Sequence, residues 1–161
     1  MADQPKGRSG SGSASVLQHI AQERAAAPSA DVSARSARSQ HAVLVVEDDA
    51  ATRYATVRLL QASGFRTLET ASGYEALTMA DKASAVLLDV NLPDVHGIEV
   101  CSLLRAREST ARLPVILTSA VYVDELHREA GLSCGADAYL VPPLEPAFLT
   151  ATLDRLIGAA G

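Results

Sequence analysis

The stretch VLVVEDD, Val43 to Asp49, sets four aliphatic residues against three consecutive acids. AVLLDVNLPD (Ala85 to Asp94) repeats the pattern with one acid, Asp89, directly after the apolar run, and PVILTSA (Pro114 to Ala120) ends in hydroxyls instead. About four aliphatic residues in a row fit a strand buried on both faces of a parallel sheet. Ligands of open parallel sheets bind outside the carboxyl ends of the strands. Glu47, Asp48, Asp89 and the Thr118–Ser119 pair are therefore expected to converge on one pocket. Crowded carboxylates repel one another and lose hydration unless a hard cation holds them. The pattern points to a divalent-metal site with Asp89 at its centre.

Outward from these runs, strand and helix signals alternate from His41 onward. Strand 1 is expected over Ala42 to Val46, with helix 1 over Ala50 to Ser63, stopped by Gly64. Strand 2 (Arg66 to Glu69) is polar enough for a sheet edge. Helix 2 starts after Ser72, with Glu75 placed to complete a capping box. Strand 3 is Ala85 to Leu88, helix 3 Ile98 to Glu108, strand 4 Pro114 to Thr118, and helix 4 Val123 to Ser133. Strand 5 is Ala138 to Val141. Helix 5 begins near Glu145, with Pro146 in the first turn, and runs to Ile157. Five successive βα units predict an α/β fold with a doubly wound, right-handed sheet.

Composition sets the outer bounds. The chain has 161 residues, 48% of them hydrophobic, enough for one domain with a real core. With only four Tyr, two Phe and no Trp, aliphatic side chains and alanine must do the packing. Residues 1–40 hold eight serines, five Lys/Arg and three Asp/Glu, whereas residues 41–161 hold nine Lys/Arg against sixteen Asp/Glu. The first segment reads as a disordered or partly helical extension, with one candidate helix over Ser15 to Ala26. Residues 41–158 form the domain, and residues 159–161 a short tail. No apolar stretch nears the roughly 20 residues of a membrane helix, and the N-terminus lacks the apolar region of a secretory signal. The expected location is cytoplasmic. Cys101 and Cys134 match no metal spacing and are expected to be free, buried thiols.

VVEDD, LLDVNLPDVHG, PVILTSA and GADAYLVPP, in this order, resemble the successive motifs of bacterial two-component receiver domains, over about residues 41–158. The resemblance implies a flavodoxin-like (βα)5 sandwich with a five-stranded parallel sheet of order 2-1-3-4-5. It implies phosphorelay signalling, with Asp89 as phospho-acceptor for a histidine kinase or phosphotransfer protein. Mg²⁺ is the implied cofactor, held by Asp48, Asp89, the Asn91 carbonyl and, through a water, Glu47. Counting from the strand's proline gives Ser119 as the switch hydroxyl, while alternation turns Thr118 to the other face. Tyr139 matches the aromatic position that moves with that hydroxyl. Asp49 falls one residue late and is expected to cap helix 1.

One position departs from the family. Its fifth strand ends in Lys-Pro, whereas this chain has Pro142-Pro143, a bond expected to be cis. The only lysine after residue 40 is Lys82, on another connection. His96 is expected to be a solvated loop residue, and Arg53 and Arg58 an ordinary helix surface. Helix 5 ends near the last residue given, so a stand-alone receiver is expected. It would act on an unspecified downstream protein and not as an enzyme, beyond weak self-catalysed phosphorylation and dephosphorylation. The changing surface would be helix 4, strand 5 and helix 5, which would also carry any weak dimer of an otherwise monomeric protein. The acidic domain, with no basic stripe, argues against nucleic acid, and no membrane partner is expected. Two competitors stand beside this reading. One is a phosphorylation-independent pseudo-receiver interaction module. The other is an aspartyl-nucleophile phosphatase, which needs a second acid where Asn91 stands.

Overall fold

The computed structural model describes residues 30–120 and 125–160. The chain divides between Ala34 and Arg35, and the second unit holds the whole sheet. Five strands, β1 (Ala42–Val46), β2 (Arg66–Thr70), β3 (Ala85–Asp89), β4 (Val115–Thr118) and β5 (Ala138–Leu140), pair in parallel in the order β2-β1-β3-β4-β5. The helices between them are α1 (Ala50–Ala62), α2 (Gly73–Met79), α3 (Gly97–Ala106), α4 (Glu125–Ser133) and α5 (Pro146–Ala160). The doubly wound fold expected from the sequence is the one observed.

The period-two geometry of a strand sends alternate side chains to opposite faces, and here both faces are apolar. Leu44, Val46, Val86, Leu88 and Leu117 form one core with Ala76 of α2 and Val100, Cys101 and Leu104 of α3. Val43, Val45, Ala85, Leu87 and Ile116 form the other with Val57 and Leu60 of α1 and Leu149 and Leu153 of α5. Each fully buried Leu or Val contributes about 1.5–3 kcal/mol of transfer free energy. β2 is the exception: its Arg66 and Glu69 are exposed, as suits an edge.

Several ends differ from expectation for local reasons. The Ser72 hydroxyl accepts the Glu75 N–H at 3.1 Å, as a cap should. The reciprocal half of the capping box is not made. Thr70 Oγ1 takes the Ser72 N–H at 3.1 Å and donates to Glu75, so the hydroxyl intervenes between acid and backbone. α3 stops at Ala106, and a separate 3-10 turn, Glu108–Thr110, follows it. α5 continues through Ala160, past the expected end at Ile157 and into the expected tail. Glu145 caps α5, accepting the N–H groups of Ala147 and Phe148 at 3.2 and 2.7 Å. Pro142-Pro143 is cis.

The expected helix over Ser15 to Ala26 lies outside the described residues. Residues 30–38 are helical, a stretch of the partly helical extension that no local pattern had placed. Arg38 supplies the reason. Its guanidinium grips Asp154 of α5 with contacts of 2.7–3.3 Å and donates to the Ser63 carbonyl at 3.0 Å. It also lies 5.8 Å from the centroid of the Phe65 ring.

Two close approaches bear on the site. Gly97 N–H donates to the Val90 carbonyl at 2.8 Å, seating the start of α3 on the backbone after β3. A Cβ at Gly97 would fall 2.3 Å from the Asp89 carbonyl oxygen and 2.7 Å from the Val90 Cα. Neither is the end of a flexible side chain, so the backbone itself must move. Gly97→Ala is expected to destabilise the domain by about 1–3 kcal/mol in urea unfolding. It should also shift the Asp89 and Val90 amide resonances more than Gly158→Ala, where a Cβ meets nothing within 4 Å.

Candidate functional site

β1 and β3 are neighbours, with Val46 opposite Leu88, so the residues that follow them emerge side by side. Glu47 extends the β1–β2 ladder, its N–H donating to the Thr70 carbonyl at 3.1 Å. Asp49 caps α1, accepting the Thr52 N–H at 2.8 Å and the Thr52 hydroxyl at 2.6 Å, which holds its carboxyl below the usual range. The Asp49 N–H in turn donates to Glu47 Oε1 at 3.0 Å. On β3, the Asn91 N–H donates to Asp89 Oδ1 at 3.1 Å. Ligand oxygens of Glu47, Asp48 and Asp89 thereby lie within 4.8 Å of one another. Asp48 is exposed and the other two are half-buried.

These acids line a cavity of about 220 Å³ with Thr52, Asn91, Thr118, Ser119, Ala120 and Pro142. Asp89 pairs with Thr118 across β3 and β4, which brings the hydroxyls beside the carboxylate. Thr118 also borders the neighbouring apolar groove between α1 and the β5–α5 loop, whereas Ser119 borders the acid cavity alone. All six residues expected to carry the site are accounted for. Five come together around the cavity, and Tyr139 lies behind it on β5.

The electrostatics show a site short of positive charge. Burial first, then repulsion from Asp89 and Asp48, pushes Glu47 up to about 7 despite the Asp49 N–H. Asp89 is likewise raised, by burial and then by the Asp48 charge, while the Asn91 N–H and a hydrogen bond with Glu47 pull it back. At an effective dielectric near 20, two unit charges about 4 Å apart repel by about 4 kcal/mol. A compact set of oxygen donors under mutual repulsion fits a hard divalent cation. Arg53 stands close but is committed elsewhere: it donates to the Glu47 carbonyl at 2.7 Å and lies 3.6 Å from the Glu69 carboxylate.

Residues 43–154 match the response regulator receiver domain family. The chain belongs to that family. The receiver is 38% identical over 122 residues to the transcriptional regulatory protein PrrA of Mycobacterium tuberculosis, a match covering 74% of this chain and 51% of PrrA. The chain thus spans about half the length of the curated relatives it matches. A putative response regulator from Chloroflexus aurantiacus superposes with a TM-score of 0.69 at 31% identity, covering 73% of this chain and 98% of that one. The receiver domain of a Pseudomonas aeruginosa sensor histidine kinase gives 0.67, also at 31%, covering 73% and 98%; that structure has a magnesium ion coordinated in its active-site cleft. Membership places this receiver in two-component phosphorelay signalling, and its acidic cluster is a set of oxygen donors that could hold a metal ion. Among the described residues, no helix is long and apolar enough to cross a membrane.

Around that pocket, the receiver's own sequence gives three local results. Pro142 lines the cavity where the family's lysine is expected, and among the described residues no Lys or Arg lines it. Tyr139 is buried, 5% exposed, with its ring turned into the α2–α3 side of the core. His96 is exposed, as expected, but it also caps α3, its Nδ1 accepting the Ile98 N–H at 3.3 Å. Asp94 went unread in the sequence. It accepts from the Tyr74 and Gly73 N–H groups, both at 3.0 Å, and from the Ser72 hydroxyl at 2.8 Å, and these bonds hold its carboxyl far below the usual range. It ties the loop after Asp89 to the start of α2. Its place in the turn run LPDVHG marked a loop acid, and only its distant partners identify it as a cap.

The raised Glu47 has a definite consequence for the metal-free protein. An acid above its ordinary value of 4.5 stabilises the fold in its protonated form. That contribution is complete below about 4.5 and is lost as pH rises through about 7. In chelator, the thermal midpoint is expected to fall as pH rises across this window. Glu47→Gln should flatten most of the slope in melts followed by circular dichroism, leaving a smaller part from Asp89.

Proposed function

We propose that Asp89 accepts a phosphoryl group from a histidine kinase or phosphotransfer protein, and that the domain signals the change through protein contacts. The observation that carries this reading is Asp89 itself: a half-buried carboxylate at the mouth of β3, flanked by two acids and two hydroxyls. A carboxylate oxygen of Asp89 forms the new bond to phosphorus as the bond to the donor histidine nitrogen breaks, and that nitrogen keeps the electron pair. Asp48, Asp89 and the Asn91 carbonyl would hold Mg²⁺, and Glu47 would assist through a water. When bound, the cation neutralises charge on the transferring group. The Asn91 N–H orients Asp89 through its 3.1 Å bond. Ser119 donates its hydroxyl to a phosphoryl oxygen, and Tyr139, on the same strand face as Leu117 and Ser119, follows that movement. The domain is a phospho-acceptor and not a metabolic enzyme, with at most weak self-catalysed gain and loss of phosphate. Its acidic surface suits protein and not nucleic-acid contacts, and its place of action is the cytoplasm.

A second reading has an observation of its own. Pro142 in the cavity wall offers neither charge nor donor to a modified Asp89. A pseudo-receiver that binds its partner without phosphorylation would tolerate that loss. Mass spectrometry separates the two readings. Acetyl phosphate or a phosphoramidate with Mg²⁺ is expected to add one phosphoryl group to the wild type and none to Asp89→Asn. A wild type that gains no mass and binds its partner as Asp89→Asn does would establish the pseudo-receiver.

Two further outcomes follow from the pocket chemistry. Mg²⁺ should raise the thermal midpoint of the wild type, and Asp48→Ala should abolish that gain. Pro142→Lys restores an ammonium beside Asp89. A charge-assisted hydrogen bond contributes about 1.5–3 kcal/mol, so phosphorylation should change partner affinity about tenfold more in this variant than in the wild type, read by calorimetry.

A further inference from the structure

Cys101 and Cys134 take no part in the acid site, and they sit together. Cys101 lies on the inner face of α3 with no exposure, and Cys134, half-buried, follows the last residue of α4 and packs on the same core. Cys101 Sγ is 3.8 Å from the Cys134 carbonyl oxygen. Cys134 Sγ donates to the Gly131 carbonyl at 2.7 Å. One turn beyond Cys101 on the same helix, Arg105 donates to the Gly135 carbonyl at 2.8 Å and grips Asp137 at 2.9 Å. Positions 101 and 105, one turn apart on α3, thus already meet the consecutive residues 134 and 135, so the backbones a cross-link would join are ordered beforehand.

We propose that Cys134 and Cys101 are a dithiol modification site that a small-molecule disulfide oxidises to an intramolecular disulfide, fastening the end of α4 to α3. Cys134 is the entry thiol because it alone reaches solvent. Its thiolate attacks one sulfur of the small disulfide, the S–S bond breaks, and one thiol leaves. Cys101 then attacks Cys134 Sγ, and its proton leaves with the expelled second thiol. Two protein thiols are oxidised and one disulfide is reduced to two thiols. Burial, and then the neighbouring Cys134, push the Cys101 thiol up to about 12, which makes the second step the slow one.

The lock would act on a specific contact. A Cβ on Gly131 would come within 2.8 Å of the Tyr139 ring, so α4 presses its backbone against that aromatic one turn before Cys134. Fixing residue 134 to α3 fixes the wall against which Tyr139 packs. The pair does not depend on Asp89.

The test treats the full chain with oxidised glutathione, followed by alkylation under denaturing conditions and intact mass measurement. The expected product is a monomer about 2 Da lighter than the reduced chain, with both cysteines refractory to alkylation. Digestion should then yield a peptide joining Cys101 to Cys134. Cys101→Ala should instead hold a stable glutathione adduct on Cys134, and Cys134→Ala should remain unmodified while folded. Asp89→Asn should close at the wild-type rate. NMR signals of the Tyr139 ring, identified with Tyr139→Phe, should shift on oxidation and return with dithiothreitol. A lasting adduct on wild-type Cys134 with Cys101 still alkylatable, or disulfide dimers in place of the internal bond, would overturn the site. Closure with an unmoved Tyr139 ring would overturn the lock.

Discussion

Three carboxylates from two adjacent strands share a space in which their oxygens lie within 4.8 Å of one another, and this repulsion organises the carboxyl edge of the sheet. It is sustained because the backbone leaves the acids no retreat. Asp49 caps α1 and presents its N–H to Glu47. Gly97 lets α3 sit directly on the peptide after Asp89. Asp94 ties the same loop to α2. A metal-free pocket of this kind holds a proton on Glu47 near neutral pH, so cation and proton compete for one set of oxygens.

Four of the domain's arginines are committed away from the acids. Arg66 donates to the Ser39 and Gln40 carbonyls before β1. Arg105 serves the Leu113 and Gly135 carbonyls before β4 and β5. Arg38 and Arg107 likewise take backbone carbonyls, of Ser63 and Leu77. Guanidinium groups suit this work because each offers several donors in a fixed plane. The outcome is a domain whose guanidinium groups, Arg53 at the acid site included, serve peptide oxygens, and no Lys or Arg among the described residues lines the acid cavity.

How much of this was legible follows from the range of each interaction. The strands were readable because Val43–Val46, Ala85–Leu88 and Val115–Leu117 are continuous apolar runs, and the sheet order came with the family resemblance. Asp49 was readable as a cap because its partner, Thr52, is three residues away. Asp94 was not, since its partners Gly73 and Tyr74 are twenty or more residues distant. The helix ending at Arg38 escaped notice because Asp154, its anchor, lies 116 residues on. The failed half of the capping box at Glu75 turned on Thr70, a neighbour that the Ser-to-Glu spacing does not include. Pro142 was visible in the sequence as a departure, and the fold places it in the cavity wall, where the departure matters.

The attachment of α4 carries a mechanical corollary. Its carboxyl end is held by Arg105 at Gly135 and by the close seat of Gly131 on Tyr139, while its amino end follows the strand that delivers Ser119. A helix seated on such a contact can pivot there as a lever. At 1.5 Å per residue, the nine residues Glu125–Ser133 make an arm of roughly 13 Å. A tilt of about 10° about the Gly131–Gly135 fulcrum sweeps the Glu125 end by roughly 2 Å, a displacement as large as the reach of a hydroxyl toward a new bond partner. The fold therefore has the proportions to turn a small chemical event at one strand end into a visible change of surface, with Tyr139 as its bearing.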